Sequence, residues 1–322
     1  MNLPLYRSVR EHYSGARSTP NASLIFDRFI QWGDGWKADG KHKQEILKDI
    51  VGYSTDMEML NAFLDRQNKQ LEALGGVTRE AETLGRFVSG LGGAHPFKTG
   101  FVWHRTLGVP YLPGSSVKGA VRAWTEQWSD EEDAARLFGG PGGMGALVLL
   151  DALPTKPPRL EVDVMTPHYG EYYEDGGPPG DYLSPNPVPF LAVAAGSTFR
   201  FSLAPRQKGD EESLQRATEL LKDTLENIGA GAKTSAGYGT FAVKAPKKDL
   251  RFEQMRVRIE AQNPNDIGSV PGLVDELANL PAGEQRRGLA ELLYGRFLAG
   301  KKNSKRRDKR WFVKLLQMRE NE

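Results

Sequence analysis

Apolar residues recur at helical spacing through the first quarter of the chain: Leu24, Ile25, Phe29 and Ile30, then Ile46, Leu47 and Ile50, then Met59, Leu60, Phe63 and Leu64. Steps of three and four predict amphipathic helices, and Asp34-Gly35 and Asp39-Gly40 punctuate them as turns. Residues 1–78 therefore read as a polar helical extension that covers a sheet. From about residue 79 the period shortens. Residues 83–90 read as a strand that runs into a glycine-rich loop, 101–103 form a short apolar run, and 109–112 lead to Pro113-Gly114. A helix is expected to start there with Ser115 or Ser116 as N-cap, burying Val117, Val121, Trp124 and Trp128 as one stripe. Residues 145–152 are apolar enough for a central strand. Residues 190–193 and 198–203 predict a strand, turn and strand. A helix is expected over about 211–228, with Leu214, Ala217, Leu221, Leu225 and Ile228 on one face and Gly229 placed to end it. Residues 241–244 form a last strand. The order strand, helix, strand, strand, helix, strand is the split β-α-β, ferredoxin-like arrangement of an α+β fold. It assigns a core to 79–250 and a helical, basic extension to 251–322.

Composition narrows the chemistry. The 322 residues hold 43 Lys+Arg against 41 Asp+Glu, a balance that names no partner. The absence of cysteine excludes disulfides, thiolate catalysis and cysteine-ligated zinc or iron–sulfur sites. No stretch approaches 18 consecutive apolar residues, and the N-terminus lacks an apolar signal region, so a soluble cytoplasmic protein is expected. The unusual counts are 36 Gly and 20 Pro, and their clusters mark the loops of interest. Residues 154–189 hold 9 of the 20 prolines, which excludes a regular helix and predicts a long functional excursion.

The loop Gly229-Ala-Gly-Ala-Lys-Thr-Ser-Ala-Gly-Tyr-Gly lacks the adjacent Gly-Lys of a phosphate-binding P-loop. It also runs from helix to strand, whereas nucleotide motifs run from strand to helix. No nucleotide cofactor, and no other cofactor, is expected. Gly229, Gly231, Gly237 and Gly239, with Lys233, Thr234, Ser235 and Tyr238, suit either a demanding connection or the close approach of an extended anion. Ser115, Ser116, Lys118 and Arg122 combine a helix start with two cations four residues apart, a pattern suited to a phosphate backbone and equally to a capped surface helix. Ser115 and Lys118 also match the Ser-x-x-Lys of serine β-lactamases, but the companion motifs are missing. His168, Glu171, Glu174 and Asp175 read as a solvated acidic loop, not a metal site, since their spacing matches no known ligand set. His104 and His168 are the histidines placed to act as general acid or base in a ribonuclease, although His104 beside Trp103 reads first as structural. Residues 301–310 hold 7 basic residues and 1 acidic one, followed by Trp311, Phe312, Leu315 and Leu316. That run suits a solvated face, or docking to RNA or an acidic neighbour.

Three segments together resemble one family. Gly108-Val-Pro-Tyr-Leu-Pro-Gly-Ser-Ser-Val-Lys-Gly-Ala-Val-Arg is similar to the signature helix start of the RAMP superfamily, the repeat-associated proteins of CRISPR systems. The loop from Gly229 resembles the superfamily's C-terminal glycine-rich loop. Val162-Asp-Val-Met-Thr-Pro-His-Tyr-Gly-Glu-Tyr-Tyr, with Asn186-Pro-Val-Pro-Phe, is similar to the sixth-subunit family of the type III-B (Cmr) effector complex. The resemblance runs from about residue 83 to 243. It implies an RRM-like core in a ribonucleoprotein that carries CRISPR guide RNA and captures complementary target RNA. The subunit would cap the backbone near the guide 3′ end, beside backbone subunits and the adjacent head subunit. RNA would be bound by Ser115, Ser116, Lys118 and Arg122 and by the glycine-loop residues Gly229 to Gly239. Backbone relatives that cut RNA use an aspartate before the signature helix, and residues 97–113 contain no Asp or Glu. A non-catalytic subunit is therefore expected. The alternative is a metal-independent endoribonuclease that processes repeat RNA, with His104 or Tyr238 as its base.

Overall fold

Asn21 accepts a hydrogen bond from the Leu24 amide and so opens helix α1 (Ala22–Arg28). Helix α2 (Gly40–Val51) follows, and Asp56 caps α3 (Met57–Leu74) by accepting from the Met59 amide. The computed structural model describes residues 5, 6, 8, 21–30, 32–33, 40–140, 142–167, 176, 178, 185–245, 250–280, 284–299, 306 and 308–320. Two units divide the chain, Met1–Ala245 and Pro246–Glu322. In the first, α3 is followed by β1 (Val77–Thr83), the hairpin of β2 (Trp103–His104) and β3 (Val109–Pro110), α4 (Gly114–Trp128) and α5 (Glu131–Phe138). A small hairpin of β4 (Gly139–Gly140) and β5 (Gly143–Met144) leads to β6 (Leu147–Leu149) and β7 (Leu153–Pro154). Then come β8 (Leu160–Met165), β9 (Val188–Val193), β10 (Thr198–Pro205), α6 (Glu211–Asn227) and β11 (Phe241–Val243).

The class is α+β. In the main sheet the strand order is β11-β1-β10-β6, every pairing is antiparallel, and β7 also pairs with β10. The register runs from Val77↔Leu203 to Glu82↔Thr198 between β1 and β10. Alternation along β10 sends Phe199, Phe201 and Leu203 into one core with Leu214, Ala217, Leu221 and Leu225 of α6. The opposite face lies under α3. There buried Arg200 donates to Asn68 Oδ1 (2.8 Å), to the Leu64 carbonyl (3.2 Å) and to Gln67 Oε1. Helices α1 and α2 also bury into the first unit's core, through Ile25, Phe26, Leu47 and Ile50.

Several strands differ from expectation. The first is Val77–Thr83, not 83–90. Arg79, Glu80 and Glu82 disguise it, yet the strand is paired on both sides, and Lys244 Nζ meets Glu82 Oε2 at 2.9 Å. Within residues 84–88, Phe87 instead bridges to β9, where it and Val193 exchange both backbone hydrogen bonds, while Leu84, Arg86 and Val88 bond the stretch from Ala232 to Thr240. The apolar run at 145–152 is an edge strand broken at Asp151, not a central one. The proline-rich excursion begins and ends as a hairpin, β8 against β9 from Leu160↔Val193 to Met165↔Val188.

The second unit holds α7 (Leu250–Ala261), α8 (Val270–Ala278), α9 (Glu284–Phe297) and α10 (Arg310–Glu320) around Met255, Ile259, Leu273, Leu277, Leu293, Phe297, Phe312 and Leu315. Phe312 and Leu315, read above as docking residues, are thus core side chains of α10. Residues 301–305 and 307 lie outside the described residues. No helix among the described residues is long and apolar enough to cross a membrane.

Candidate nucleic-acid interface

Helix α4 does not begin on a serine cap. Pro113 is its N-cap, with no side-chain bond, and Ser115 and Ser116 stand exposed in the first turn. The Gly114 amide is taken by Asp151 Oδ1 at 2.8 Å, a carboxylate supplied by the break between β6 and β7. That acceptor occupies part of the positive helix end expected to be free for an anion. A Cβ on Gly114 would lie 2.4 Å from the Leu149 carbonyl oxygen, so only glycine lets the helix start so close to the edge strand. The buried line of α4 is Gly114, Val117, Val121 and Thr125. Thr125 hides its hydroxyl on the Val121 carbonyl (2.7 Å), while Trp128, expected inside, is 68% exposed and stacks on half-buried Trp124.

The outer surface of the helix has two flanks. Each residue turns about 100°, so positions two apart diverge by about 200°. Ser116 and Ala120 line a groove against the glycine loop, whereas Lys118 and Arg122 stand on the far flank. Arg122 Nε is paired with Glu126 at 2.7 Å, and Lys118 has no ion-pair or hydrogen-bond partner among the described residues. Between the flanks lie exposed Ser115, Gly119 and Ala123.

The glycine loop is tied to the protein by its own backbone. Ala230 N donates to the Gly239 carbonyl (2.8 Å), Ala232 N to Val88 O (2.8 Å) and Gly239 N to Arg86 O (2.7 Å). Gly239 has φ 70°, and a Cβ there would lie 2.0 Å from the Ala230 carbonyl oxygen. Lys233 is left-handed as well, at φ 60°. For a residue with a Cβ that is a strained conformation, and such strain concentrates at functional sites. The groove between loop and helix encloses about 450 Å³. Its walls include Ser89, Gly90, Ser116, Ala120, Gly229, Gly231 and Thr234, and among the described residues no charged side chain lines it. Of the expected RNA-binding residues, Ser116, Gly229, Gly231 and Thr234 therefore meet at one place. Ser115, Lys118, Arg122, Lys233, Ser235, Gly237, Tyr238 and Gly239 do not line it.

Tyr238 turns to the excursion hairpin and donates its hydroxyl to Asp163 Oδ2. Burial, then that hydrogen bond, raises its pKa above the ordinary tyrosine value and keeps the phenol protonated. Arg86 closes the cluster, with Nε on Glu161 and Nη1 3.2 Å from Asp163 Oδ2. His104 sits between the rings of Phe63 and Tyr111, and its Nδ1 accepts from the Leu107 amide (3.3 Å). Burial lowers its pKa, so the imidazole is neutral at physiological pH. Among the described residues no His, Cys, Asp and Glu group could hold a metal ion, and His168, Glu171, Glu174 and Asp175 lie outside them. The sequence reading missed Asp151 and the Arg86–Glu161–Asp163 cluster. The alternation Leu160-Glu-Val-Asp-Val carried a strand signal for the second, and nothing local carried one for the first.

The comparisons with known proteins agree on one family. The RAMP superfamily model matches residues 80–242. The CRISPR system Cmr subunit Cmr6 of Pyrococcus furiosus is 28% identical over 248 residues, covering 56% of this chain and 72% of that protein. The Cmr6 subunit of Saccharolobus solfataricus is 27% identical over 225 residues, 68% of each chain. A chain in the cryo-EM structure of the Type III-B Cmr-beta bound to cognate target RNA is 26% identical with a TM-score of 0.52, over 67% of this chain and 78% of its own length.

Proposed function

The chain belongs to the RAMP superfamily, and on that premise we propose that it is a non-catalytic, RNA-binding structural subunit of a type III-B CRISPR effector ribonucleoprotein. Its partners are guide RNA, complementary target RNA and neighbouring effector subunits, and it caps the backbone near the guide 3′ end in antiviral defence. The strand order β11-β1-β10-β6 with α4 and α6 on one face supports an RRM-like core. The cover of α3 over Arg200 argues against base stacking on the opposite face at β10, the surface RRM domains use.

The observation that carries the reading is the exposed face at the start of α4. Small side chains there leave the helix open, cations border one side, and an uncharged groove walled by a glycine loop borders the other. A sugar-phosphate chain laid across this face would set its phosphates toward Lys118 and Arg122 and its sugars or bases toward the groove. The lack of Asp or Glu in residues 97–113 supports the non-catalytic assignment, as does a Tyr238 hydroxyl committed to Asp163. The test is RNA binding by the purified chain across a salt series, with repeat RNA incubated in EDTA alongside. Salt-dependent binding with intact RNA is expected; cleaved repeat RNA would support the endoribonuclease instead.

A further inference from the structure

We propose that Asp163 is a positioning residue for the glycine loop, holding residues 233–239 through Tyr238 and Arg86 in the geometry that receives RNA. The inference rests on the RNA-binding reading above. Tyr238 stands between two glycines with positive φ, Gly237 at 84° and Gly239 at 70°. Backbone hydrogen bonds fix both neighbours, Gly237 N to the Thr234 carbonyl (2.9 Å) and Gly239 N to the Arg86 carbonyl (2.7 Å), so what the Tyr238 side chain adds is the tie from this turn to the excursion hairpin. Its own ties are a 3.3 Å hydrogen bond from its amide to the Lys233 carbonyl, partial burial against the core with a tilted contact to Phe190 at 6.2 Å, the Lys233 ammonium 5.9 Å from its ring, and the hydroxyl on Asp163.

Asp163 is built for that role. Its side chain is 15% exposed, and Oδ1 is held by the Val164 amide at 2.8 Å, which leaves Oδ2 for Tyr238 and Arg86. Glu161, two residues earlier and so on the same side of the strand, takes the other edge of the guanidinium. Arg86 then acts twice, since its carbonyl accepts the Gly239 amide while its side chain meets Asp163. The chain of contacts runs onward from Tyr238 to left-handed Lys233, whose ammonium lies 5.9 Å from the phenol ring, and so to Thr234 in the groove wall. Hairpin and loop are therefore keyed together through one carboxylate, although Asp163 itself does not line the groove.

The test compares the full chain with Tyr238→Phe, Asp163→Ala, Asp163→Asn and the Tyr238→Phe/Asp163→Ala pair, reading amide hydrogen exchange of residues 229–240 and RNA affinity across salt. A hydrogen bond to a charged acceptor is lost in the first two, so loop exchange should quicken about tenfold, with α6 and the second unit unchanged as the folding control. RNA affinity should fall by about the same factor while the salt slope stays constant, because no phosphate contact is removed. Asp163→Asn keeps one acceptor oxygen and can take the phenol only by giving up the Val164 amide, so it should recover part of the loss, and the pair should be little worse than Asp163→Ala alone. Loop exchange equal to the unmodified chain would overturn the proposal, and so would quickened exchange with unchanged affinity. Absence of RNA binding by the unmodified chain would instead overturn the RNA reading, and the exchange data would still decide whether Asp163 holds the loop.

Discussion

On the flank of α4 that meets the glycine loop, Ser116 and Ala120 are small and uncharged; on the flank opposite, Lys118 and Arg122 carry the only cations of the helix. Both flanks are written in one stretch of sequence, and the half-turn between them follows from the helical period alone. Read as a string, Ser-Ser-Val-Lys-Gly-Ala-Val-Arg looks like a single phosphate site. Folded, it is two borders of one face, and a polynucleotide satisfies both only by lying across the helix start. The groove border can be spoiled without touching charge, and the cation border without touching shape.

The largest effect is expected inside the glycine loop. Gly239→Val places a Cβ 2.0 Å from a backbone carbonyl oxygen at φ 70°, so it should cost the first unit about 3 kcal/mol or more. Gly237→Val meets the same left-handed strain, at φ 84°, but open space, and should cost about 1–2 kcal/mol. Denaturant unfolding of both variants checks the ordering. Equal losses would mean that conformational strain, and not the close approach to Ala230, governs this border.

Next comes a pair of variants that separates the borders. Ala120→Leu narrows the groove and should weaken RNA binding about tenfold at constant salt slope, since it removes no counter-ion contact. Lys118→Ala with Arg122→Ala should reduce the slope by about two units and leave the fold intact, because both side chains stand off the buried line of Val117 and Val121. If Ala120→Leu also lowered the slope, or the cation pair left it unchanged, the division into shape and charge would fail.

How much of this was legible beforehand follows from which signals are local. The α3 and α6 faces are periodic, and the 194–197 turn sits between two apolar runs, so those elements could be read directly. Strand β1 could not, because its Arg79, Glu80 and Glu82 find their environment only from β10, β11 and Lys244. The edge position of β6 was hidden too, since burial by α4 makes an edge strand as apolar as a central one. At the site, residue types named the loop and the helix start, while the Asp151 cap depends on an interruption of the edge strand 37 residues away. The serine caps failed because the helix starts earlier: Gly114 is already helical behind Pro113, which leaves Ser115 and Ser116 inside the first turn.

The smallest expected effect tests the face between the borders, and it turns on sign. Gly119 lies within α4, exposed, with nothing within 4 Å of where a Cβ would stand. Glycine inside a helix costs about 0.5–1 kcal/mol against alanine, and here no packing contact and no positive φ accounts for it. Gly119→Ala should therefore stabilise the first unit by about that amount. If a strand of RNA crosses the helix start between Ser116 and Arg122, the added methyl stands where the sugar-phosphate chain comes closest. Affinity should then fall a few-fold, about 0.5–1 kcal/mol, while the protein itself grows more stable. A purely structural glycine cannot produce both signs. Thermal unfolding and an RNA titration on the same preparation read them together, and higher stability with unchanged affinity would move the RNA off this face.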